Sequence, residues 1–113
     1  MDAATLNVGL NIAMEWWGED WLQPIQERLR ARFPKLDVAA LDECNEICQA
    51  AMRTGYELAS ECMIGIGLSD NLSEEKNREI KNQFTDDIRA RFAWIDDDNA
   101  GRLYSQGCYY AMK

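Results

Sequence analysis

Hydrophobic residues recur every three or four positions along most of this chain, which is the spacing of one face of an α-helix. The clearest stripe is formed by Ile80, Phe84, Ile88 and Phe92, which stand one helical turn apart. Helix-favouring residues are frequent and the chain contains only 2 prolines. The pattern therefore predicts an all-α protein.

Residues 5–16 form the ambiguous part of the pattern. Their apolar residues alternate with less apolar ones, as in a half-buried strand. Leu6, Leu10, Ala13 and Trp17 nevertheless also trace one face of a helix. Because the sequence offers no convincing second strand for pairing, we predict a helix here and keep a strand as the alternative.

Capping residues and prolines set the expected ends of the next two helices. Asp20 is suited to cap a second helix that holds Pro24 in its first turn, where a missing N–H is tolerated, and that ends near Phe33. Asp37 is suited to cap a third helix, and apolar and small residues continue from it to Gly65 and Gly67, which are suited to end it. The third helix is therefore predicted to be long.

Two further helices are predicted in the last third of the chain. Ser73 is suited to cap a fourth helix that runs to about Trp94, and the acidic cluster at residues 96–98 begins a fifth. The expected fold is an all-α bundle of about five helices. It consists of two αα-hairpins and an N-terminal helix, with one long central helix.

The chain also resembles itself at an offset that relates Leu29 to Ile88 and that we call the repeat offset; further along, a one-residue insertion brings Cys48 into register with Cys108. Residues 29–33 read Leu-Arg-Ala-Arg-Phe and residues 88–92 read Ile-Arg-Ala-Arg-Phe, and a hydrophobic residue and an aspartate follow at matching positions. The similarity extends over residues 20–53 and 79–113, within one predicted domain covering residues 1–113. A duplicated hairpin would explain it, although amphipathic helices also resemble one another by patterning alone.

Composition narrows the range of functions. The chain has 113 residues, enough for one domain, and no histidine, which excludes the usual catalytic triads and most zinc enzymes. Its net charge of −8 disfavours direct binding to nucleic acid, which needs an excess of Lys and Arg. Because there is no apolar run of about 20 residues and no basic leader before an apolar stretch, we expect a cytoplasmic protein without a membrane segment. We expect no cofactor.

Charge is unevenly distributed along the chain, since residues 1–27 contain no basic residue and residues 28–35 contain four. The simplest role for arginines on the second and fourth helices is pairing at the surface with neighbouring acids. The arginines are Arg30, Arg32, Arg89 and Arg91, and the expected partners are Glu27, Asp86 and neighbouring acids.

Cysteines and other small residues form a seam along the third and fifth helices. In heptad spacing three of the 4 cysteines fall on the apolar positions of the third helix, and the fifth helix has a matching small face. Such a seam lets helices approach closely, with free thiols in a reducing cytoplasm. It fits packing within one chain as well as between two copies. Its predicted members are Cys44, Cys48, Ala51, Gly55, Cys62, Gly107 and Cys108.

Two features suggest a protein-binding surface. Three of the 4 tryptophans lie close together, and such aromatic clusters can anchor an interface. The third helix also carries an acidic ridge opposite the seam, which suits a basic partner. The candidate partner-binding residues are Trp16, Trp17, Trp21, Asp42, Glu46, Glu57 and Glu61.

These features lead us to expect a non-catalytic, acidic protein-interaction module. It would be a homodimeric regulator or inhibitor that binds a larger and basic protein partner. One alternative is a Mg²⁺-dependent enzyme similar to helical nucleotide pyrophosphohydrolases, with Glu43 and Glu46 as a carboxylate pair. Another alternative is a protein that binds a metal ion through its cysteine thiolates.

Overall fold

The computed structural model of this chain describes residues 1–15, 23–66 and 74–111. These residues contain five α-helices and no strand, so the predicted all-α fold is confirmed. None of these described helices is both long and apolar enough to cross a membrane. The helices are α1 (Ala3–Ala13), α2 (Gln26–Arg32), α3 (Val38–Ile66), α4 (Glu74–Arg91) and α5 (Asp97–Ala111).

Helix α1 confirms the helical interpretation of the ambiguous N-terminal segment. It begins after Asp2, whose carboxylate accepts a hydrogen bond from the N–H of Thr5 at 2.7 Å. Hydrogen bonds from the side chain and from the N–H of Thr5 lower the pKa of the Asp2 carboxyl. The helix ends at Ala13, earlier than predicted, and the N–H of Met14 donates to the carbonyl of Leu10 at 3.0 Å.

The predicted start of the second helix is wrong. Residues 23–25 are not helical, so Pro24 precedes α2 instead of occupying its first turn, and Asp20 lies outside the described residues. A side chain from α3 binds the start of α2, because the N–H of Ile25 donates to Oδ1 of Asn45 at 3.0 Å. The first N–H groups of a helix have no acceptor within the helix. Here a residue far along the chain provides the acceptor.

The long third helix is confirmed. α3 is one helix of 29 residues, and Asp37 caps it by accepting a hydrogen bond from the N–H of Ala40 at 2.8 Å. Of the two glycines suited to end it, Gly65 lies within α3, which runs to Ile66, and Gly67 lies outside the described residues.

The fourth helix ends earlier than predicted, at Arg91 instead of near Trp94. Its last hydrogen bond joins the N–H of Phe92 to the carbonyl of Ile88 at 2.8 Å, so Trp94 lies in the following loop. Ser73 is outside the described part of the chain. The fifth helix begins as predicted, because Asp96 accepts a hydrogen bond from the N–H of Asn99 at 2.8 Å.

The chain divides into two compact units, Met1–Met52 (unit 1) and Arg53–Lys113 (unit 2). Unit 1 contains α1, α2 and the first part of α3, and unit 2 contains the rest of α3 with α4 and α5. Each unit has an apolar core of almost completely buried side chains. These include Leu10, Ile25, Leu29 and Leu41 in unit 1, and Phe84, Ile88, Ile95 and Leu103 in unit 2.

Arg28 joins two helices of unit 1. Its guanidinium donates to the carbonyl of Ile12, in the last turn of α1, at 2.9 Å. It also forms an ion pair with Glu15 at 3.6 Å. A cation at the carboxyl end of a helix is favourable because the unpaired carbonyls there carry partial negative charge.

The loop from α2 to α3 and the loop from α4 to α5 have the same backbone hydrogen bonds. In the first, the N–H of Phe33 donates to Leu29 at 2.8 Å and the N–H of Leu36 to Phe33 at 3.1 Å. In the second, Phe92 and Ile95 make the matching bonds at the same lengths. The repeat offset therefore relates residues with the same local role, and a duplication of the hairpin stays a prediction.

Candidate functional site

The cysteine part of the seam packs against α1 in unit 1. A methyl group added to Gly9 would lie 2.7 Å from Sγ of Cys44 and 2.9 Å from Sγ of Cys48, so α1 approaches closely because Gly9 has no side chain. The thiol of Cys48 donates to the carbonyl of Leu6 at 3.4 Å. Both cysteines and Ala51 are completely buried. Gly9 was not predicted as part of the seam, although a glycine inside an apolar helix was a usable signal.

The seam of unit 2 joins α3 to α5 of the same chain. A methyl group added to Gly107 would lie 2.5 Å from Cβ of Ala59, and one added to Gly55 would lie 3.2 Å from a methyl group of Leu103. These distances leave no room for a side chain at Gly107 and little at Gly55. The small residues therefore allow close packing of these two helices.

The other two cysteines are half-buried in unit 2, and all four thiols are free. Burial raises the pKa of Cys62 and Cys108. Burial also raises the pKa of Tyr104 to about 12, and the neighbouring Cys108, to which its side chain is hydrogen-bonded, adds to this shift. These groups are therefore protonated at neutral pH.

Cys44 and Cys48 form a buried pair of thiols with 3.9 Å between their Sγ atoms. The hydrogen bond between them lowers the pKa of Cys44 and, together with burial, raises the pKa of Cys48. Cys48 therefore keeps its proton when Cys44 ionises. The pair does not readily provide the two thiolates that a metal ion would bind. A structural zinc site takes four ligands. The described residues include no group of three or more potential His, Cys, Asp or Glu ligands.

The carboxylates proposed for a magnesium site lie on one helix of unit 1. Glu43 and Glu46 are both exposed on α3. A magnesium site between helices requires carboxylates that converge from facing elements. Within the described ranges, these two have no such carboxylate group converging on them from another helix.

The structure places all four acids of the predicted ridge on the exposed side of α3. Asp42 and Glu46 belong to unit 1, and Glu57 and Glu61 belong to unit 2. Asp42 accepts a hydrogen bond from the side chain of Gln26 at 3.2 Å. The other three form no ion pair with any residue that the structure describes. The tryptophan cluster, Trp16, Trp17 and Trp21, lies outside the described residues.

In unit 2, negative charge comes from two different helices. Glu61 of α3 and Asp87 of α4 both lie near the thiol of Cys62, and their charges add to burial in raising its pKa. Asp87 also accepts a hydrogen bond from the side chain of Gln83 at 3.1 Å. We call Glu57, Glu61 and Asp87 the acidic surface of unit 2.

Arg89 pairs with Asp97, an acid of the following helix. Its Nε donates to the carbonyl of Ile95 at 3.0 Å, and its Nη1 binds the carboxylate of Asp97 at 2.7 Å. Arg89 thus holds the loop between α4 and α5 to the first turn of α5. Asp86, which lies on α4, is exposed.

Arg30 is the counterpart of Arg89 in unit 1, and its surroundings differ. The repeat offset places Val38 where unit 2 has Asp97. Val38 is 63% exposed, more than the other exposed large apolar side chains, Met1 and Tyr109. Arg30 is exposed and forms no ion pair with a described residue. The sequence already indicated this difference, because it has a valine at position 38 and an aspartate at the equivalent position 97.

Comparisons of this chain with known protein families, with curated proteins and with solved structures found no match.

Proposed function

We propose that this protein is a non-catalytic, acidic interaction module of the cytoplasm. It acts as a homodimeric regulator or inhibitor of a larger protein partner, and a basic region of that partner binds the acidic surface of unit 2. The observation that carries this proposal is the pair of exposed acids Glu57 and Glu61 on α3 of unit 2, together with Asp87 of α4, whose charge, like that of Glu61, raises the pKa of the Cys62 thiol.

Charge from two helices matters because one exposed ion pair contributes little. Such a pair is worth about 0.2–1 kcal/mol, so an acidic surface binds a partner with useful affinity only if several carboxylates act together. Glu57 lies one turn before Glu61 on the exposed side of α3, which extends the surface. A concentrated negative field also steers a basic partner toward the surface and accelerates association.

The buried polar groups and the exposed carboxylates of α3 differ in whether they have partners within the chain. Within the described ranges, every fully buried side-chain nitrogen or oxygen has a hydrogen-bond partner. The exposed carboxylates of α3 in unit 2, by contrast, have no basic residue of their own chain as a described ion-pair partner. A lysine or arginine of another protein can take that place.

The test is co-purification from native extract at low and high salt, comparing wild type with the double variant Glu57→Gln, Glu61→Gln. A matched control, Glu74→Gln with Glu75→Gln, removes the same charge from two exposed acids at the start of α4. We expect a specific partner with a basic region that is retained by wild type and the control but lost from the double variant and at high salt. A protein without a partner at every salt concentration, or one whose partner is retained by the double variant, would contradict the proposal.

A further inference from the structure

Unit 1 has a surface of the opposite character near the end of α2. Arg30, Arg32 and Lys35 are all exposed there, in a chain whose net charge is −8. Val38 follows at the start of α3 with 63% of its surface exposed. None of these three cations forms an ion pair with a residue that the structure describes, so this surface offers positive charge and one exposed apolar side chain to a partner.

Unit 2 shows which group fits beside such an arginine. In the equivalent loop of unit 2, Arg89 binds the carboxylate of Asp97 at 2.7 Å. The loop of unit 1 has the same backbone hydrogen bonds, but valine replaces the aspartate. The position beside Arg30 therefore suits a carboxylate that Val38 cannot supply and that no described residue of unit 1 provides.

We infer that Arg30 and Val38 form the surface through which two copies of this chain associate. A carboxylate on α3 of the second copy binds Arg30, in the way that Asp97 binds Arg89, and an apolar part of that copy covers Val38. This inference rests on the dimer in the proposed function and adds the interface to it.

A second copy fits because it supplies the complementary charge from the same unit. Glu43 and Glu46 are exposed on α3 of unit 1 and form no ion pair with a described residue. In a two-fold dimer, the basic surface of each copy meets the acidic side of the other, so the same contact forms twice. Two copies of charge −8 repel at long range, but at about 0.15 M salt this repulsion is screened beyond roughly 8 Å, and the local contact decides.

The decisive variant is Val38→Asp, which copies the arrangement of unit 2 into unit 1. It gives Arg30 a carboxylate within its own chain and removes the exposed apolar side chain. By sedimentation at about 0.15 M salt, we expect the dimer to weaken by about tenfold or more. In protein dilute enough that copies do not associate, the midpoint of thermal unfolding should not fall, which separates a loss of association from a loss of folding.

Charge exchange identifies the carboxylate. Arg30→Glu and Glu46→Arg should each weaken self-association, because each places like charges opposite one another at both copies of the contact. A mixture of the two variants should restore the dimer, since both contacts are then between opposite charges. Arg91→Glu makes the same change in charge on an exposed residue of unit 2 and should leave the dimer intact.

Each outcome bears on a different part of the inference. A monomer at all concentrations would overturn both this interface and the dimer of the proposed function. A dimer that Val38→Asp and Arg30→Glu leave unchanged would overturn the interface alone. A dimer that both variants weaken, but that the mixture with Glu46→Arg does not restore, would overturn the assignment of that carboxylate. Weakening by both variants together with restoration in the mixture supports the whole inference.

Discussion

The two units use the same packing device with different side chains. In unit 1, Gly9 of α1 lies against Cys44, and in unit 2, Gly55 of α3 lies against Leu103. Cys44 and Leu103 are themselves related by the repeat offset. Each hairpin thus packs at one equivalent position against a glycine of a third helix. At this position one of the two helices contributes a glycine in both units, whereas the size of the facing side chain varies.

The two units differ more in the partners of the equivalent arginines, Arg89 in unit 2 and Arg30 in unit 1. Unit 2 binds Arg89 internally through Asp97 and the carbonyl of Ile95. Unit 1 has Val38 in place of the aspartate and leaves Arg30 exposed. One loop is therefore completed within the chain, and the other presents a cation and an apolar group to solvent.

The largest effect is expected from replacing a closely packed glycine with alanine, which adds one methyl group between two helices. Gly107→Ala places that group 2.5 Å from Cβ of Ala59, so we expect a loss of about 1–3 kcal/mol in the free energy of unfolding, measured with urea. Gly101→Ala is the matched control, because its methyl group meets only the flexible end of Lys81 at 3.6 Å. Alanine also favours helix over glycine by about 1 kcal/mol, so the control should be stabilised.

A compensating substitution sharpens this test. Ala59→Gly removes the methyl group that Gly107→Ala would strike, so the double variant should recover part of the lost free energy of unfolding. The two changes should therefore be non-additive by about 0.5 kcal/mol or more. Additive losses would show that the close approach of α3 and α5 at this point is not what limits the side chain.

The second test compares the two arginines. Arg89→Ala removes a hydrogen bond to a loop carbonyl and a surface ion pair with Asp97, so we expect a loss of about 1 kcal/mol in the free energy of unfolding. Arg30→Ala should change it by less than about 0.5 kcal/mol. The measurement should use dilute protein, at which copies do not associate. Equal losses would contradict the contrast between the loops.

A third test uses the thiols. Cys62 and Cys108 are half-buried, whereas Cys44 and Cys48 are completely buried. A thiol reagent should therefore modify two cysteines of the folded protein, both in unit 2, and the other two only after unfolding. Because burial raises the pKa of Cys62 and Cys108, their reaction rate should still be rising at a pH where that of an ordinary exposed thiol has levelled off. Early modification of Cys44 would contradict the packing of α1.

The smallest effect is spectroscopic and concerns Tyr104. Burial raises its pKa to about 12, so in a titration followed by ultraviolet absorbance it should ionise later than an exposed tyrosine, for which the value is 10.0. Between these values the folded protein keeps a proton that the unfolded chain loses. Stability should therefore fall as the pH rises through this window. Tyr104→Phe should remove that late step and leave the rest of the titration unchanged.

The sequence by itself determined the helical class and the helix ends that depend on nearby residues. Asp37 and Asp96 cap α3 and α5 through N–H groups three residues later, and such bonds need no distant partner. The acidic residues of α3 were likewise placed on its exposed side by helical spacing alone.

Only the tertiary structure decided the features that depend on distant residues. Asn45 binds the N–H at the start of α2, Gly9 makes room for two thiols of α3, and Asp97 binds Arg89. In each case several local partners were equally compatible with the sequence. The partner in each case is set by which helices lie within hydrogen-bonding or van der Waals distance of one another. The spacing of residue types along the sequence does not give that distance.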